Sequence, residues 1–318
     1  MTNLEGLPVT IAIPVFATPV ALLDACLRSI ADAKGPDDQV FVVVDGPQPP
    51  DLEAVVSSAG AFGFQVVRQR TRLGLVANWN ACLRLGSCEL VHVMHADDAV
   101  GPEFYVAVGT AMQRANVAAV AAGRFRSAGS GPFTVLGGRE AARYLLSGEK
   151  PPTGSFVLRR SALGTPALGF DTRLPYCPDE ELFLRILTSG DLALVDQRLY
   201  IESRHDRQAR FSTWHRADFA DVYYAARTEG ARAVDVDIVP LARRQTSRRL
   251  LSVGRYLCRS GDGRAARAIV RSITAHDKRS MVNWKYWALL LLATATRNSG
   301  PLLATHPATP VSGSRSDL

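Results

Sequence analysis

Two short acidic stretches of this chain have residues suited to chemistry. In the first, His95 to Asp98, two adjacent carboxylates follow the apolar run "LVHVM". Such carboxylates repel each other unless a cation or a hydrogen-bonded ligand lies between them, so the motif suits a hard divalent cation. The alternative is a turn before the next helix, because Asp before Gly-Pro is common in turns. In the second, Asp179 to Glu181 begins a helix, where a carboxylate can cap the helix or act as a general base.

Apolar strands and amphipathic helices alternate through the first part of the chain. The predicted strands are 9–16, 39–46, 64–69, 89–95 and 117–125, and the predicted helices are 19–33, 51–60, 73–86 and 101–115. Pro102 is expected in the first turn of the last of these helices. The alternation predicts an α/β fold with a mixed, mostly parallel sheet and helices on both faces. Loops after the strands then meet at the carboxyl edge of the sheet, where α/β proteins bind ligands.

Polar residues follow the predicted strands at that edge. Asp45 could hydrogen-bond a base or ribose, Asp97 a ribose hydroxyl, and Asp98 could hold a divalent cation against a diphosphate. The chain has neither GxGxxG after the first strand nor GxxxxGK[ST], which argues against dinucleotide and P-loop sites. Phosphate would then be neutralised by a metal or by arginine. Arg72 is available for this role, unless it is a solvated loop charge.

Charge is unevenly distributed along the chain. From residue 200 onward there are 20 Lys and Arg against 10 Asp and Glu, so the rest of the chain is slightly acidic although the net charge is +7. The basic part is followed by "VNWKYWALLLL", with aromatics typical of a membrane interface. We therefore expect an anionic membrane surface as its partner and no nucleic acid. The alternative is a solvated helical bundle with a Leu and Trp core.

Sequence features also indicate the cellular compartment. The N-terminus lacks a basic segment and has Glu5 and Pro8 near its first apolar run, so a signal peptide is not expected. No window reaches the roughly 18 consecutive apolar residues of a spanning helix. The five cysteines show no CxxC and no Cys/His metal spacing, so they are expected to be reduced. These features predict a cytoplasmic protein, at the inner face of the plasma membrane if the basic part binds lipid.

The order of these motifs resembles the inverting glycosyltransferases of family 2, which have the Rossmann-like GT-A fold. The matching positions are Pro14, Asp45, Gly74 with Asn78, Asp97 with Asp98, then Asp179, Glu181-Leu182, Arg185, and Arg204-His205. The resemblance covers roughly residues 8 to 215. It implies transfer of a sugar from a nucleotide-diphosphate sugar to an acceptor hydroxyl, in polysaccharide, cell-envelope or glycolipid synthesis. The acceptor would be a glycan or a lipid-linked molecule.

The resemblance also implies roles for individual residues. Asp179 is the expected catalytic base, with Glu180 as the alternative. The implied donor nucleotide site is Pro14, Val15, Phe16, Asp45, Arg72, Asn78 and Asp97. Asp98 and His205 are implied ligands of a divalent cation, Mn²⁺ or Mg²⁺. The loop "PPTGSFVLRR" resembles the acceptor-side loop of the family, and the implied acceptor or sugar contacts are Thr153, Gly154, Ser155, Arg185 and Arg204.

The chain departs from the family pattern at three positions. One is the end of the second strand, which has the single Asp45 where the family often has two acids. His95 occupies the first position of the usual DxD motif, and Pro178 stands where a Glu commonly precedes the base. These departures leave the metal requirement open and retain one alternative, a catalytically silent GT-A scaffold or glycan-binding subunit. A sugar-phosphate nucleotidyltransferase is the other alternative, although the glycine-rich signature expected near its first strand is missing.

Three regions are predicted along the chain. Residues 1–213 are expected to form the GT-A domain and residues 214–299 a basic helical extension. Within the extension, residues 240–273 read as paired amphipathic helices joined at Gly261 to Gly263. The Pro-, Ser- and Thr-rich composition of residues 300–318 predicts a disordered tail.

Overall fold

The computed structural model describes residues 7–123, 132–147, 150–164, 169–203 and 213–296. Its strands are β1 (Val9–Val15), β2 (Gln39–Val44), β3 (Gln65–Arg68), β4 (Leu90–Val93), β5 (Ala99–Val100), β6 (Val117–Ala122), β7 (Phe133–Leu136), β8 (Val157–Arg159), β9 (Asp191–Val195) and β10 (Tyr200–Ile201). Eight of them form one sheet in the order β3-β2-β1-β4-β8-β6-β9-β7, and β5 pairs with β10 separately.

Pairing within the large sheet is mixed and mostly parallel, as expected. Strand β1 pairs in parallel with both β2 and β4, β2 pairs in parallel with β3, and β6 with β9. Strands β7 and β8 run antiparallel to their neighbours. Strands β1 and β2 are apolar along most of their length because helices cover both faces of the sheet. Strands β2 and β3 lie on one side of β1, whereas the next strand along the chain, β4, lies on its other side. This change of direction leaves a crevice at the carboxyl ends of β1 and β4.

Helices cover both faces of this sheet. They are α1 (Val20–Ala33), α2 (Pro50–Ser58), α3 (Leu75–Leu83), α4 (Phe104–Met112), α5 (Gly138–Leu146), α6 (Pro178–Arg185), α7 (Phe219–Val234), α8 (Val239–Arg259), α9 (Gly263–His276) and α10 (Trp284–Ala295). Ile11 and Ile13 of β1 pack with α1, α2 and α4 in one hydrophobic cluster. Ala12, on the opposite face of the same strand, packs in a second cluster with α3, α5 and α6. The alternation along β1 follows from the two-residue period of a strand.

Most predicted elements are present, with two differences. Helix α4 begins at Phe104 and not at Pro102, because residues 101–103 form a turn in which Phe104 N–H donates to the Gly101 carbonyl at 3.0 Å. The small sheet of β5 and β10 was not predicted, since strands of two residues show no periodicity. Its pairing brings the segment before Ser203 against the acidic stretch after β4.

Helices α7 to α10 build a third hydrophobic cluster. The predicted pair joined at residues 261–263 is present as α8 and α9. This extension also contacts the large sheet, because Ala231 of α7 and Ala242 of α8 lie in the second hydrophobic cluster, on one face of that sheet. Within the described part of the chain, no helix combines the length and apolarity needed to cross a bilayer. The predicted tail, 300–318, lies outside the described residues.

Candidate active site

The carboxyl ends of β1, β2 and β4 meet at one edge of the sheet. Parallel register places Val15 beside Val44 and Ala12 beside Val93. The residues that follow these strands, Phe16, Asp45 and His95, consequently lie around the crevice. Pro14 is half-buried within β1, and Val15 is fully buried in the core, so the Val15 side chain offers no surface to a ligand.

Asp45 organises the loop that precedes α3. Its side chain is buried, and its two oxygens accept from Leu73 N–H at 2.6 Å and Gly74 N–H at 3.0 Å. This loop holds Arg72, whose guanidinium carbon lies 3.9 Å from the centroid of the exposed Phe16 ring. Each oxygen of Asp45 thus already accepts one backbone hydrogen bond, and its contact with a base or ribose stays a prediction. Phe16 and Arg72 present the accessible surface on this side of the crevice.

Asn78 of α3 is also buried, at 3% exposure. Its side-chain oxygen accepts no hydrogen bond from any residue that the structure describes. A buried amide oxygen without a partner is costly, so it is a candidate acceptor for a ligand donor. Its position agrees with the expected contribution of Asn78 to a donor site, although no observation assigns it one.

Asp98 is a buried carboxylate held by three neighbours. Tyr200 Oη donates to Oδ2 at 2.6 Å and Ser203 N–H donates to Oδ1 at 2.8 Å. His95 Nδ1 lies 3.5 Å from Oδ2. Burial by itself raises the pKa of Asp98, but these hydrogen bonds and the His95 charge outweigh it and lower the pKa below its ordinary value. Asp98 is therefore ionised at neutral pH.

His95, Asp97 and Asp98 form a cluster that could hold a metal ion. One ligand atom from each residue lies within 4.8 Å of the others. Two carboxylate oxygens suit Mg²⁺ or Mn²⁺, and an imidazole nitrogen suits softer transition metals, so the donor set fits Mn²⁺ better than Mg²⁺. Burial lowers the pKa of His95, yet the neighbouring carboxylates raise it above its ordinary value. A metal would thus compete with a proton for this imidazole.

The indole of Trp79 stacks on His95, with 5.4 Å between the ring centroids. On the other side, a methyl group added at Gly154 would lie 2.1 Å from the Tyr200 hydroxyl and 2.8 Å from His95 Cγ. Only glycine fits at position 154 while the hydroxyl of Tyr200 stays on Asp98. The imidazole is consequently fixed between an aromatic ring and a tightly packed backbone.

The loop 153–155 joins this cluster to the candidate base. His92, fully buried on β4, contacts the Gly154 carbonyl through Nε2 at 2.7 Å and Tyr105 Oη through Nδ1 at 3.0 Å. Burial lowers the pKa of His92 to about 4, so the ring is neutral and donates from Nε2 to the carbonyl. Ser155 is fully buried and its hydroxyl donates to Pro152 O. Of the three predicted sugar contacts here, only Thr153 has a side chain at the cleft.

The three acidic residues in the first turn of α6 have three different environments. Asp179 Oδ2 accepts from Thr153 Oγ1 at 2.9 Å and lies 3.7 Å from Lys150 Nζ. Glu180 is buried, and its oxygens accept from Lys150 and from Arg227 of α7 at 2.5 and 2.9 Å. Glu181 pairs with Arg185 one turn later at 2.6 Å.

Arg227 connects the C-terminal extension to helix α6. It is 3% exposed and donates to Glu180, to Tyr223 Oη and to the Leu146 carbonyl at the end of α5. Burial raises the pKa of Glu180, but the charges of Lys150 and Arg227 hold that pKa below its ordinary value. Glu180 is therefore a neutralised structural anion, and Asp179 is the better placed of the two candidate bases.

Asp179 does not cap its helix. The N-cap of α6 is Cys177, Pro178 occupies the first helical position, and no side chain makes a capping hydrogen bond. Cys177 has a φ of 56°, in the left-handed region that costs a non-glycine residue about 1–2 kcal/mol. Backbone strain of this kind is frequent at functional sites. Here the strained residue directs the first turn of α6 towards Thr153.

A small pocket lies between the two acidic sites. It is lined by His95 and Thr153 on its polar side, and on its apolar side by Trp79, Val93, Phe156, Leu158, Phe170 and Phe183. Phe156 and Phe183 are stacked, with 3.8 Å between the centroids. The aromatic walls keep the space between His95 and Thr153 apolar, with polar groups at its rim.

Among the remaining predicted residues, Arg185 is tied to Glu181 and to the Gly169 carbonyl at 2.8 Å. Arg204 and His205 lie outside the described residues.

Three residues that hold the site together were not predicted from the sequence. Their partners are 30, 102 and 47 residues away and no local motif marks them, for Lys150, Tyr200 and Arg227 respectively. The structure thus brings together Asp97, Asp98 and His95, and places Thr153 on Asp179.

An α/β sheet of this order, with an acidic cluster at the crevice and an opposed carboxylate, has the organisation of the GT-A transferases. Residues 10–164 match the model described as "Glycosyl transferase family 2". These residues therefore form a glycosyltransferase family 2 domain, and the chain is a glycosyltransferase, as the motifs predicted. The nucleotidyltransferase alternative is left without support.

Solved structures show the same fold at low sequence identity. Staphylococcus aureus TarS, residues 1–349, superposes with a TM-score of 0.62 at 14% identity, over 90% of this chain and 88% of TarS. A complex of that protein with UDP gives 0.60 at 13% identity, over 91% and 88% of the two chains. The mannosyltransferase PcManGT from Pyrobaculum calidifontis, bound to GDP-Man and Mn²⁺, gives 0.54 at 15% identity, over 91% and 86%.

A sequence relative comes from Mycobacterium tuberculosis. The uncharacterized protein MT1568 is 25% identical over 224 residues, which are 62% of this chain and 67% of the relative. This similarity extends beyond the family match, but it brings no activity with it.

Proposed function

We propose that this protein is an inverting glycosyltransferase that moves a sugar from a nucleoside-diphosphate sugar to an acceptor hydroxyl, with Asp179 as the catalytic base. The observation that carries the proposal is the arrangement of Asp179. Thr153 and Lys150 both contact Oδ2. This fixes the carboxylate and leaves Oδ1 to accept a proton from the acceptor hydroxyl as that oxygen attacks the anomeric carbon.

The His95, Asp97 and Asp98 cluster would hold the donor diphosphate through a divalent cation. When bound, the cation would supply positive charge to the diphosphate leaving group. Tyr200 and Ser203 orient Asp98 for this role, and Trp79 fixes the His95 ring. Arg72 and Phe16 are proposed to contact the nucleotide at the β1 and β2 side of the crevice. His205 and Arg204 remain proposed contacts of the metal and the acceptor.

Asp45 contributes to this donor site indirectly, by fixing the loop that carries Arg72. Asn78 would offer its unpaired oxygen, and Pro14 and Val15 their backbone. Gly154 and Ser155 shape the loop that presents Thr153, whereas Arg185 would support the acceptor side through Glu181.

The proposed acceptor is a glycan or a lipid-linked molecule of cell-envelope, polysaccharide or glycolipid synthesis. Support comes from the basic C-terminal extension, which would keep a cytoplasmic enzyme at an anionic membrane where such acceptors are located. This location is a proposal about the inner face of the plasma membrane.

The first test is thermal unfolding with UDP, GDP and their sugars, in Mn²⁺, Mg²⁺ or EDTA. A nucleotide at a hundred times its dissociation constant adds about 2.7 kcal/mol to the free energy of unfolding. We expect one nucleotide to raise the midpoint in Mn²⁺, and Asp98→Ala to abolish this effect. A shift that EDTA leaves intact would show a metal-free donor site, and no shift with any nucleotide would favour a silent scaffold.

A further inference from the structure

Helix α10 has apolar residues on two opposite faces, of which only one is packed. Tyr286, Leu289 and Ala293 are at most 3% exposed and face the rest of the extension. At 100° per residue, Trp287 and Leu291 lie on the other side of the helix, where they are 49% and 70% exposed.

The packed face holds α10 on the bundle. Leu289 lies so close to Gly254 of α8 that a methyl group added there would be 2.6 Å from its side chain. The Tyr286 hydroxyl hydrogen-bonds Thr274 of α9 at 2.6 Å. Trp287 also donates from Nε1 to the Met281 carbonyl at 2.7 Å, so the exposed side chain that the packing of α10 needs least is Leu291.

Two further exposed apolar residues lie near this side of the helix, Leu292 between Leu291 and the packed Leu289 on the helical wheel, and Val282 before the helix. Leu292 is 49% exposed, and Val282, in the turn before the helix, is 90% exposed. Large apolar side chains grouped on one surface mark an interaction site, whereas single ones are ordinary. We call Val282, Trp287, Leu291 and Leu292 the α10 face.

The charges beside the α10 face identify its partner. Residues 278–296 contain Lys278, Arg279 and Lys285, all exposed, and no Asp or Glu. A second copy on this face would bring two such cationic segments together, which opposes self-association. Apolar side chains with a Trp, bordered by lysine and arginine, match the boundary between acyl chains and anionic headgroups.

We propose that the α10 face is a membrane-docking surface that inserts into an anionic lipid bilayer, with Lys278, Arg279 and Lys285 at the headgroups. The helix lies in the plane of the interface and does not cross the bilayer. This docking is independent of the reaction; only its consequence, that the crevice is kept near lipid-linked acceptors, rests on the proposed function.

Cosedimentation of the full chain with vesicles tests this proposal. Vesicles of phosphatidylcholine with phosphatidylglycerol should bind the protein, vesicles of phosphatidylcholine alone should bind it weakly, and added salt should weaken the binding. Leu291→Glu should reduce binding at least about tenfold, the loss expected for one leucine that no longer enters an apolar phase. Val106→Glu is the matched control, because Val106 is 59% exposed on α4, and it should bind as wild type.

Three results would overturn the proposal. One is no binding to either vesicle, and another is equal binding of wild type and Leu291→Glu. The third is a dimer in size-exclusion chromatography that Leu291→Glu dissociates, which would assign the face to a second copy. Nucleotide-dependent stabilisation of the same variants, measured without vesicles, reports separately on the proposed reaction and should be unchanged by Leu291→Glu.

Discussion

The acidic cluster after β4 and the acidic first turn of α6 each place a buried carboxylate next to a less buried aspartate, Asp98 beside Asp97 and Glu180 beside Asp179. In the first, Asp98 is buried and held by the Tyr200 hydroxyl, a backbone N–H and an imidazole. In the second, Glu180 is buried and held by two full cations, Lys150 and Arg227. Lys150 also lies 3.7 Å from Asp179, so the second arrangement reaches its neighbouring aspartate, and the two sites neutralise charge differently.

This difference separates the chemistry of the two sites. In the part of the chain that the structure describes, the Asp98 carboxylate meets one imidazole, one hydroxyl and one backbone N–H, so a divalent cation can still add favourable charge there. Asp179 and Glu180 are matched by Lys150 and Arg227, so a further cation has little to gain there. This contrast supports the proposed division, in which a metal ion binds at the first site and Asp179 accepts a proton at the second.

The strongest test of this division is Asp179→Asn, which removes the proposed base and keeps its shape. Turnover should fall by about 10²–10⁴-fold, the usual contribution of a positioned general base. Stabilisation by nucleotide and Mn²⁺ should be unchanged, because the metal cluster is intact. The measurement is nucleoside diphosphate release beside thermal unfolding. Equal loss of turnover and of nucleotide binding would contradict the separation of the sites.

Much of the arrangement behind this prediction is local in sequence. Continuous apolar runs predict β1, β2 and β4, and the residues that follow them predict the crevice. Asp179 is marked by the helix that it begins. The residues that hold the two buried carboxylates are not predictable in this way, because they are distant in sequence. Tyr200 is 102 residues from Asp98, and Arg227 is 47 residues from Glu180.

Asp45 shows a second limit of prediction from local sequence. Its place after β2 predicts a residue that faces a ligand, yet its carboxylate accepts from N–H groups 28 and 29 residues later. A local motif identifies a chemically capable side chain, but tertiary contacts decide whether that side chain is already occupied.

The next largest effect is expected for Arg227→Met. It leaves Glu180 buried with one cation, and breaking a buried ion pair costs about 3–5 kcal/mol. Urea denaturation measures this loss, and Glu180→Gln in the same chain should restore part of it. The control is Arg28→Met, whose pair with Asp24 is exposed on both sides and should change stability little. Equal losses for the two arginines would show that Glu180 is not specially anchored.

Tyr200→Phe tests the uncharged hydrogen bond that holds Asp98 in the cluster after β4. It removes the hydroxyl that donates to Asp98 at 2.6 Å and should cost about 2 kcal/mol of unfolding free energy, the range for hydrogen bonds to charged groups. The Mn²⁺-dependent part of nucleotide stabilisation should weaken more than the metal-free part. If both parts weaken equally, Tyr200 supports the fold and not the metal cluster.

The smallest effect is a pH dependence that belongs to Glu180. Lys150 and Arg227 keep its folded pKa below the value of 4.5 in the unfolded chain. A carboxyl with a lowered folded pKa contributes stability that is complete above its unfolded pKa and is lost as the pH falls towards its folded pKa. The stability difference between wild type and Glu180→Gln should thus be constant near neutrality and narrow below about pH 4.5.

Comparing the two proteins at each pH isolates this group, because Asp98 has a lowered pKa in both and cancels from the difference. The stability difference between wild type and Glu180→Gln should change by no more than about 1.4 kcal/mol per pH unit, the limit for one titrating proton. Urea denaturation from neutral to acid pH measures it. A difference that widens on acidification would mean that Glu180 is protonated more readily in the folded protein, so that burial outweighs its two cations and the charge balance assigned to α6 is wrong.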